Sequence, residues 1–321
     1  MNHNASSPAL TLSIAAVERD TGLSKDTLRV WERRYGFPTP SRDSAGERAY
    51  TLLQVDKLRA LKRLLDAGHR PGRIVPLSLE QLNELSELTV DRPRRGAQAA
   101  SGNDDIRDLL EVVRRHEVAA LRDSLNRLLS RRGVARFVIE VIAPLTQAVG
   151  DAWIRGHLEV FEEHLVTESL QAVLRGAIAA IPEPVAADAP RVLLTTFPGE
   201  PHGLGLLMAQ ALLALEGCRC VSLGVQTPLW DITLAAAACR SDIVALSFAG
   251  CMAPNQVADG LLELRSKLPA HVALWAGGSA PVLHRRLVPG VQALAELDQL
   301  PAALRQLRLQ GCPKAQEAPT A

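Results

Sequence analysis

Apolar positions change their period along this chain, and those changes divide it. From 11 to 85 they recur at helical steps. Ser13 can cap a first short helix that Gly22 ends, and Ser24 can cap a second from Lys25 to about Tyr35. Two short helices across a glycine-bearing turn predict a helix-turn-helix, and a longer helix is expected over 52–67. From 86 to 103 the period lapses into Pro93, the basic run Arg92 to Arg95, and Ala, Gly and Ser, which reads as a linker. Helical spacing returns over 104–182, where Leu109, Leu110, Val112 and Val113, then Leu121, Leu125, Leu128 and Leu129, follow one another at three- and four-residue steps. Breaks at Gly133 and Gly156 there predict four helices, enough for a bundle. Past the spacer Pro182 to Pro190, short apolar runs alternate with helical stretches over 190–308. Strands are expected over 192–196, 219–223, 243–247 and 272–276, and helices over 204–216, 229–238, 253–267 and 281–287. That alternation predicts a parallel sheet with helices on both faces. Residues 1–10 and 309–321 read as tails.

Composition adds bounds. Apolar residues make up 47% and charged residues 22%, a globular balance. The expectation is a soluble cytoplasmic protein with no membrane partner, since no apolar run reaches the roughly 18 residues of a membrane helix and residues 1–8 hold no apolar signal core. The five cysteines match no zinc or C-x-x-C spacing and are expected to be small buried hydrophobes. The net charge of +1 is uneven: residues 11–75 carry 13 basic against 8 acidic side chains, and the rest carry 23 against 27. A basic module joined to a mildly acidic one fits DNA contact at one end and sensing at the other.

The stretch Gly199-Glu200-Pro201-His202-Gly203-Leu204-Gly205 lies between a predicted strand and a predicted helix, at the carboxyl edge where such sheets bind ligands. One ring nitrogen of His202 can meet a metal while the other donates to Glu200. The glycines at 203 and 205 are expected to let a large flat ligand approach. This E-x-H-x-x-G spacing resembles the cobalamin-binding motif D/E-x-H-x-x-G, in which the histidine is the lower axial ligand to cobalt. The resemblance makes the last domain a Rossmann-like cobalamin-binding domain.

The second predicted helix carries Lys25, Arg29, Arg33 and Arg34, types that reach bases and phosphates from a recognition helix. The stretch Leu28-Arg29-Val30-Trp31-Glu32-Arg33-Arg34-Tyr35-Gly36-Phe37-Pro38, with Arg42 and Gly46-Glu47-Arg48-Ala49-Tyr50, closely resembles the winged-helix DNA-binding domain of the MerR family. The resemblance implies a wing from Pro38 to Tyr50, places Arg42 and Arg48 near phosphates, and adds Tyr35 to the DNA-facing set.

Within the predicted bundle, Trp153 is followed after nine residues by Glu163-His164. This W-x9-E-H spacing is similar to the signature of the CarH/LitR cobalamin photoreceptors. The resemblance implies that the bundle covers the upper face of the corrinoid, with Trp153 against the adenosyl group and Glu163 and His164 close by. It also implies that Ser247, ending the third predicted strand, and Gly277-Gly278, ending the fourth, line the tunnel for the nucleotide tail. Here S-x-A stands at 247–249 in place of the family's S-x-L.

Together these readings give a multidomain chain: an all-α winged helix-turn-helix over 11–85, a linker over 86–103, a four-helix bundle over 104–182, the α/β Rossmann-like parallel-sheet domain over 190–308, and a tail over 309–321. The expected function is a repressor, not an enzyme, that binds a double-stranded DNA operator, senses adenosylcobalamin through its cobalt, responds to light and assembles as a dimer or tetramer. One departure bears on light: a histidine that follows the tryptophan in well-known members is Ile154 here, which cannot ligate, and His157 lies beyond Gly156. The alternatives are a sensor that responds without light to cobalamin or another ligand, and a corrinoid carrier, which has no use for residues 31–50.

Overall fold

A computed structural model describes residues 11–43, 46–90, 104–285 and 288–309. The described residues divide into two compact units, 11–90 with 151–157, and 104–150 with 158–309.

The first unit starts with β1 (Thr11–Ser13), α1 (Ile14–Thr21) and α2 (Lys25–Tyr35). The expected caps are in place: Ser13 Oγ accepts from the Ala16 amide at 3.3 Å and Ser24 Oγ from the Thr27 amide at 3.1 Å. Gly22 ends α1 with φ 70° and Gly36 ends α2 with φ 69°, a region costly for a side chain. Next come β2 (Ser41–Arg42), β3 (Arg48–Thr51), α3 (Leu52–Asp66), α4 (Pro71–Ile74) and α5 (Leu79–Val90). β1 and β2 flank β3 antiparallel, with Leu12 opposite Tyr50 and Arg42 opposite Arg48. The module is therefore not all-α. Strands of two to four residues are too short to show an alternating pattern, so periodicity misses them. One face of α2 buries Leu28 and Trp31 beside Val17, Tyr50, Leu58 and Leu61. Cutting Leu28 to Ala should cost about 2–5 kcal/mol.

The expected linker began too early, since residues 86–90 are the last turn of α5. Ser86 is buried and its hydroxyl donates to the Leu82 carbonyl at 2.9 Å, so a polar residue sits inside the helix. Residues 91–103 lie outside the described residues. The bundle expected over 104–182 is also divided, because 151–157 groups with the first unit, where Arg155 pairs with Glu87 of α5 at 2.8 Å.

The helical part is built from α6 (Asp104–Arg114), α7 (Val118–Phe137), a π-turn (Val138–Ile142), α8 (Ala143–Ile154) and α9 (Val160–Ala179), all in the second unit except the last turn of α8 from residue 151. Gly133, at φ 72° and ψ 163°, breaks α7 where the sequence suggested. The run Val118–Ile154 is long and apolar enough in composition to cross a membrane, contrary to expectation. Its Phe137, Val138, Val141, Ile142 and Leu145 are fully buried inside the protein.

The α/β part comprises β4 (Arg191–Thr195), α10 (Leu204–Leu215), β5 (Arg219–Gly224), α11 (Leu229–Ala238), β6 (Ile243–Ser247), α12 (Pro254–Lys267), β7 (Ala273–Gly277), α13 (Pro281–Arg285), β8 (Val291–Leu294) and α14 (Leu300–Leu309). The sheet is wholly parallel in the order β5-β4-β6-β7-β8. Central strands covered on both faces read as apolar runs, as in Val192-Leu193-Leu194 and Ile243 to Leu246, all buried. The fifth strand, β8, was not anticipated, since Val-Gln-Ala-Leu is too brief to carry a period. α10 is apolar all round because it packs on the sheet and also on α7 and α9.

Candidate cofactor site and DNA-facing surface

From β4 the chain passes to β5 on one side and then to β6 on the other. The order reverses there, and the crevice at the carboxyl ends of β4 and β6 is where such sheets hold ligands. Glu200 follows β4 into this crevice and is fully buried. Thr196 Oγ1 donates to the Glu200 carbonyl at 2.6 Å, and the Ala249 amide, just past β6, donates to Oε2 at 2.8 Å. Oε1 then stands 2.6 Å from His202 Nδ1 and 3.2 Å from the His202 amide. The carboxylate is thus fixed by backbone from two loops and in turn fixes the ring.

His202 is 56% exposed on its side chain. With Nδ1 held by Glu200, a neutral ring carries its lone pair on Nε2, the arrangement a metal-ligating histidine needs. Cys251 Sγ, which no sequence pattern singled out, lies 3.3 Å from Glu200 Oε1. The Cys251 sulfur, followed by the Glu200 carboxylate, pushes the His202 pKa up to about 10. Burial pushes the Glu200 carboxyl up, but hydrogen bonds from His202 and the Ala249 amide outweigh it and hold the group below the ordinary carboxylate range. Of the other cysteines in the sheet region, Cys218 is buried as expected, whereas Cys220 and Cys239 are only partly buried; desolvation pushes the Cys218 thiol up to about 11 and the Cys220 thiol to about 12.

The glycines have an internal reason that sequence reading did not foresee. A Cβ on Gly205 would lie 2.6 Å from Ser247 Oγ, and one on Gly203 would lie 3.0 Å from Val225 Cγ1. Gly278 has φ 107° and a Cβ there would meet the Phe248 carbonyl oxygen at 2.3 Å. A Cβ on Gly277 would stand 3.4 Å from the Leu294 carbonyl oxygen, an ordinary contact. Gly278, and Gly205 against Ser247, thus let loop and helix close on this chain's own atoms, whereas Gly203 and Gly277 have room for a side chain at little or no cost. Ser247 ends β6 against Gly205, so the serine and the motif glycine meet.

On α9, the Glu163 carboxylate accepts from Thr167 Oγ1 at 2.7 Å and lies 3.6 Å from His164 Nε2, with the His164 ring largely exposed. The buried carboxylate of this region is the neighbouring Glu162, bonded to His116 at 2.9 Å. Trp153 is partly buried and Ile154 buried in the first unit.

On α2, Arg29 and Arg33 are exposed four residues apart, so they share one stripe with the half-buried Lys25, and Arg34 is exposed beside it. Arg29 pairs with Asp26 at 3.1 Å, and Lys25 stands 3.6 Å from Glu18. Arg42 donates to the Gly46 carbonyl at 2.8 Å and closes the described part of the wing turn. Two expected DNA contacts are otherwise engaged. Arg48 Nε lies 2.8 Å from Glu32 Oε2, so it ties β3 to α2. Tyr35 packs against the hydrophobic core, with the Arg34 guanidinium over its ring at 5.3 Å.

A winged helix-turn-helix with an outward arginine stripe, joined to a parallel sheet that presents a carboxylate-held histidine at its switch point, defines a DNA-binding regulator with a corrinoid-type sensor. Comparison with known proteins agrees. The model of the MerR HTH regulatory protein family matches residues 12–77, and that of a B12 binding domain matches residues 105–175. The chain is 34% identical over 265 residues to the HTH-type transcriptional repressor CarH of Myxococcus xanthus, covering 82% of this chain and 87% of that protein. It is 29% identical over 301 residues to CarA, an HTH-type transcriptional repressor of the same organism, covering 93% and 98%. The Methanosarcina barkeri monomethylamine corrinoid protein shares the fold of 65% of this chain over its full length, with a TM-score of 0.51 and 16% identity. The chain belongs to the CarH-like family of MerR-type transcription regulators with a B12-binding domain.

Proposed function

We propose that the chain is a repressor that binds adenosylcobalamin through His202 and couples that binding to operator DNA through α2 and the wing. The observation that carries this reading is the Glu200–His202 pair, buried carboxylate to exposed ring at 2.6 Å, at the switch point of a parallel sheet. The donor set fits a corrinoid: one oriented imidazole, with the carboxylate already satisfied by backbone. Cobalamin, when bound, would supply a cobalt able to take an imidazole ligand and a light-sensitive carbon–cobalt bond. In this chain His202 would hold the lower face and Glu200 would keep the ring in the ligating tautomer. Trp153, Glu163 and His164 would serve the upper side, and Ser247, Gly203, Gly205, Gly277 and Gly278 would border the nucleotide tail. Lys25, Arg29, Arg33, Arg34 and Arg42 would meet DNA, with Arg48 and Tyr35 setting the pose of wing and helix.

Titration of adenosylcobalamin into the cofactor-free chain in the dark, followed by absorbance, tests the central step. The wild type should give a histidine-ligated spectrum, and His202→Ala should lose binding or bind without that spectrum. A wild-type spectrum and affinity in His202→Ala would overturn the reading. Ile154 favours a second reading, cobalamin sensing without light, because it removes a ligand that the photoreceptor resemblance calls for. Operator binding before and after green illumination of the loaded chain separates the two.

A further inference from the structure

Oε1 of Glu200 receives two protic partners at once, the ring nitrogen Nδ1 of His202 at 2.6 Å and the Cys251 thiol at 3.3 Å. One nitrogen, one oxygen and one sulfur donor from these three residues lie within 4.8 Å of one another. The carboxylate is fully buried and its other oxygen is anchored by the Ala249 amide, so Oε1 cannot swing away. The ring is 56% exposed and can turn. We propose that Glu200, His202 and Cys251 form a binding site for a borderline divalent cation of the Zn(II) class in the cofactor-free chain.

Chemistry selects the class of ion. Thiolate and imidazole suit zinc and cobalt, whereas magnesium and calcium require oxygen ligands, of which this cluster has one carboxylate. Donors around a tetrahedral zinc stand about 3.3–3.8 Å apart for bonds of about 2.0–2.3 Å. The nitrogen–oxygen gap must therefore open by about 1 Å or less, a ring rotation, while the sulfur–oxygen gap needs almost no change. The cation takes the place of two protons, one from the thiol and one between ring and carboxylate, and both pass to solvent. Three protein donors leave a fourth position for water. The site rests on these residues alone. Competition with cobalamin for the same histidine rests also on the function proposed above.

The test titrates Co(II) into the chelator-treated full chain and reads absorbance. The expected result is stoichiometric binding with a sulfur-to-cobalt charge-transfer band in the near ultraviolet, lost when Zn(II) is added. Cys251→Ala should lose the band and bind at least about 10–100-fold more weakly, the loss typical of removing even an outer partner of a metal site. Cys239→Ala, a thiol outside the cluster, should keep both band and affinity. Thermal unfolding of each variant shows that it is folded. A wild type without the band, or an undiminished band in folded Cys251→Ala, overturns the site. Adenosylcobalamin titrated into the same samples keeps the two ideas separate. Cobalamin binding with no Co(II) band sinks the cation site alone, and the band with no cobalamin binding sinks the corrinoid reading alone. Where both bind, Zn(II) should weaken cobalamin binding, and independent binding would place the cation away from His202 and overturn the assignment.

Discussion

Cys251 and Glu200 favour a protonated His202, and the ring can ligate only after losing that proton. Its pKa, pushed up to about 10 by Cys251 and Glu200, sets the sign of the pH dependence. Below that pH the proton must leave as the ligand binds, so affinity for adenosylcobalamin should rise by about tenfold per pH unit toward pH 10 and fall correspondingly in acid. An affinity flat between pH 6 and 9 would show that the ring is already neutral. Glu200→Gln keeps the shape but loses the charge that orients the ring, and binding should weaken by roughly 10–100-fold while the histidine-ligated spectrum persists.

At the scale of elements, α2 and the wing divide their labour. Arg29→Ala and Arg33→Ala remove exposed cations, and operator binding should weaken by about 1–3 kcal/mol, with the salt slope falling by about one for each phosphate no longer neutralised. Arg48→Ala instead breaks the pair with Glu32, both partners about a quarter to a third exposed. It should cost under about 1 kcal/mol of stability and lower operator affinity with the salt slope unchanged. Salt-titrated operator binding distinguishes the two behaviours. The meeting of α10 with β6 is a second element-scale case. Gly205→Ala would push a methyl toward Ser247 Oγ, 2.6 Å from the added carbon, and should destabilise by about 1–3 kcal/mol. Gly205→Ala with Ser247→Ala should recover most of that loss in denaturant unfolding. No recovery would mean the close approach is not what requires glycine.

For the whole molecule, the proposal predicts that adenosylcobalamin in the dark raises both oligomeric mass and operator affinity. Sedimentation with and without cofactor, before and after green light, reads both. An oligomer that survives illumination would support cobalamin sensing without light, the reading that Ile154 favours. Trp153→Ala should bind cobalamin but lose its preference for the adenosyl over smaller upper ligands, measured by parallel titrations.

Local chemistry was written in the order of residues. Ser13, Gly22, Ser24 and Gly133 act on their own turns, so caps and breaks follow from neighbours alone. The alternation of apolar runs and helices likewise gave the parallel sheet, since strands buried on both faces must be apolar whatever surrounds them. The E-x-H pair was legible because its partners are two residues apart. What lay beyond reach was set by distant contacts. Cys251 joins Glu200 across 51 residues, and Arg48 turns to Glu32 across 16. Gly205 is glycine because Ser247 arrives from another strand. The strands β1, β2 and β8 are too short to carry a period, and they exist because neighbours offer them hydrogen bonds. Sequence spacing thus determined which groups could do chemistry, and tertiary packing decided which of them meet, because a side chain's partner is chosen by distance in space.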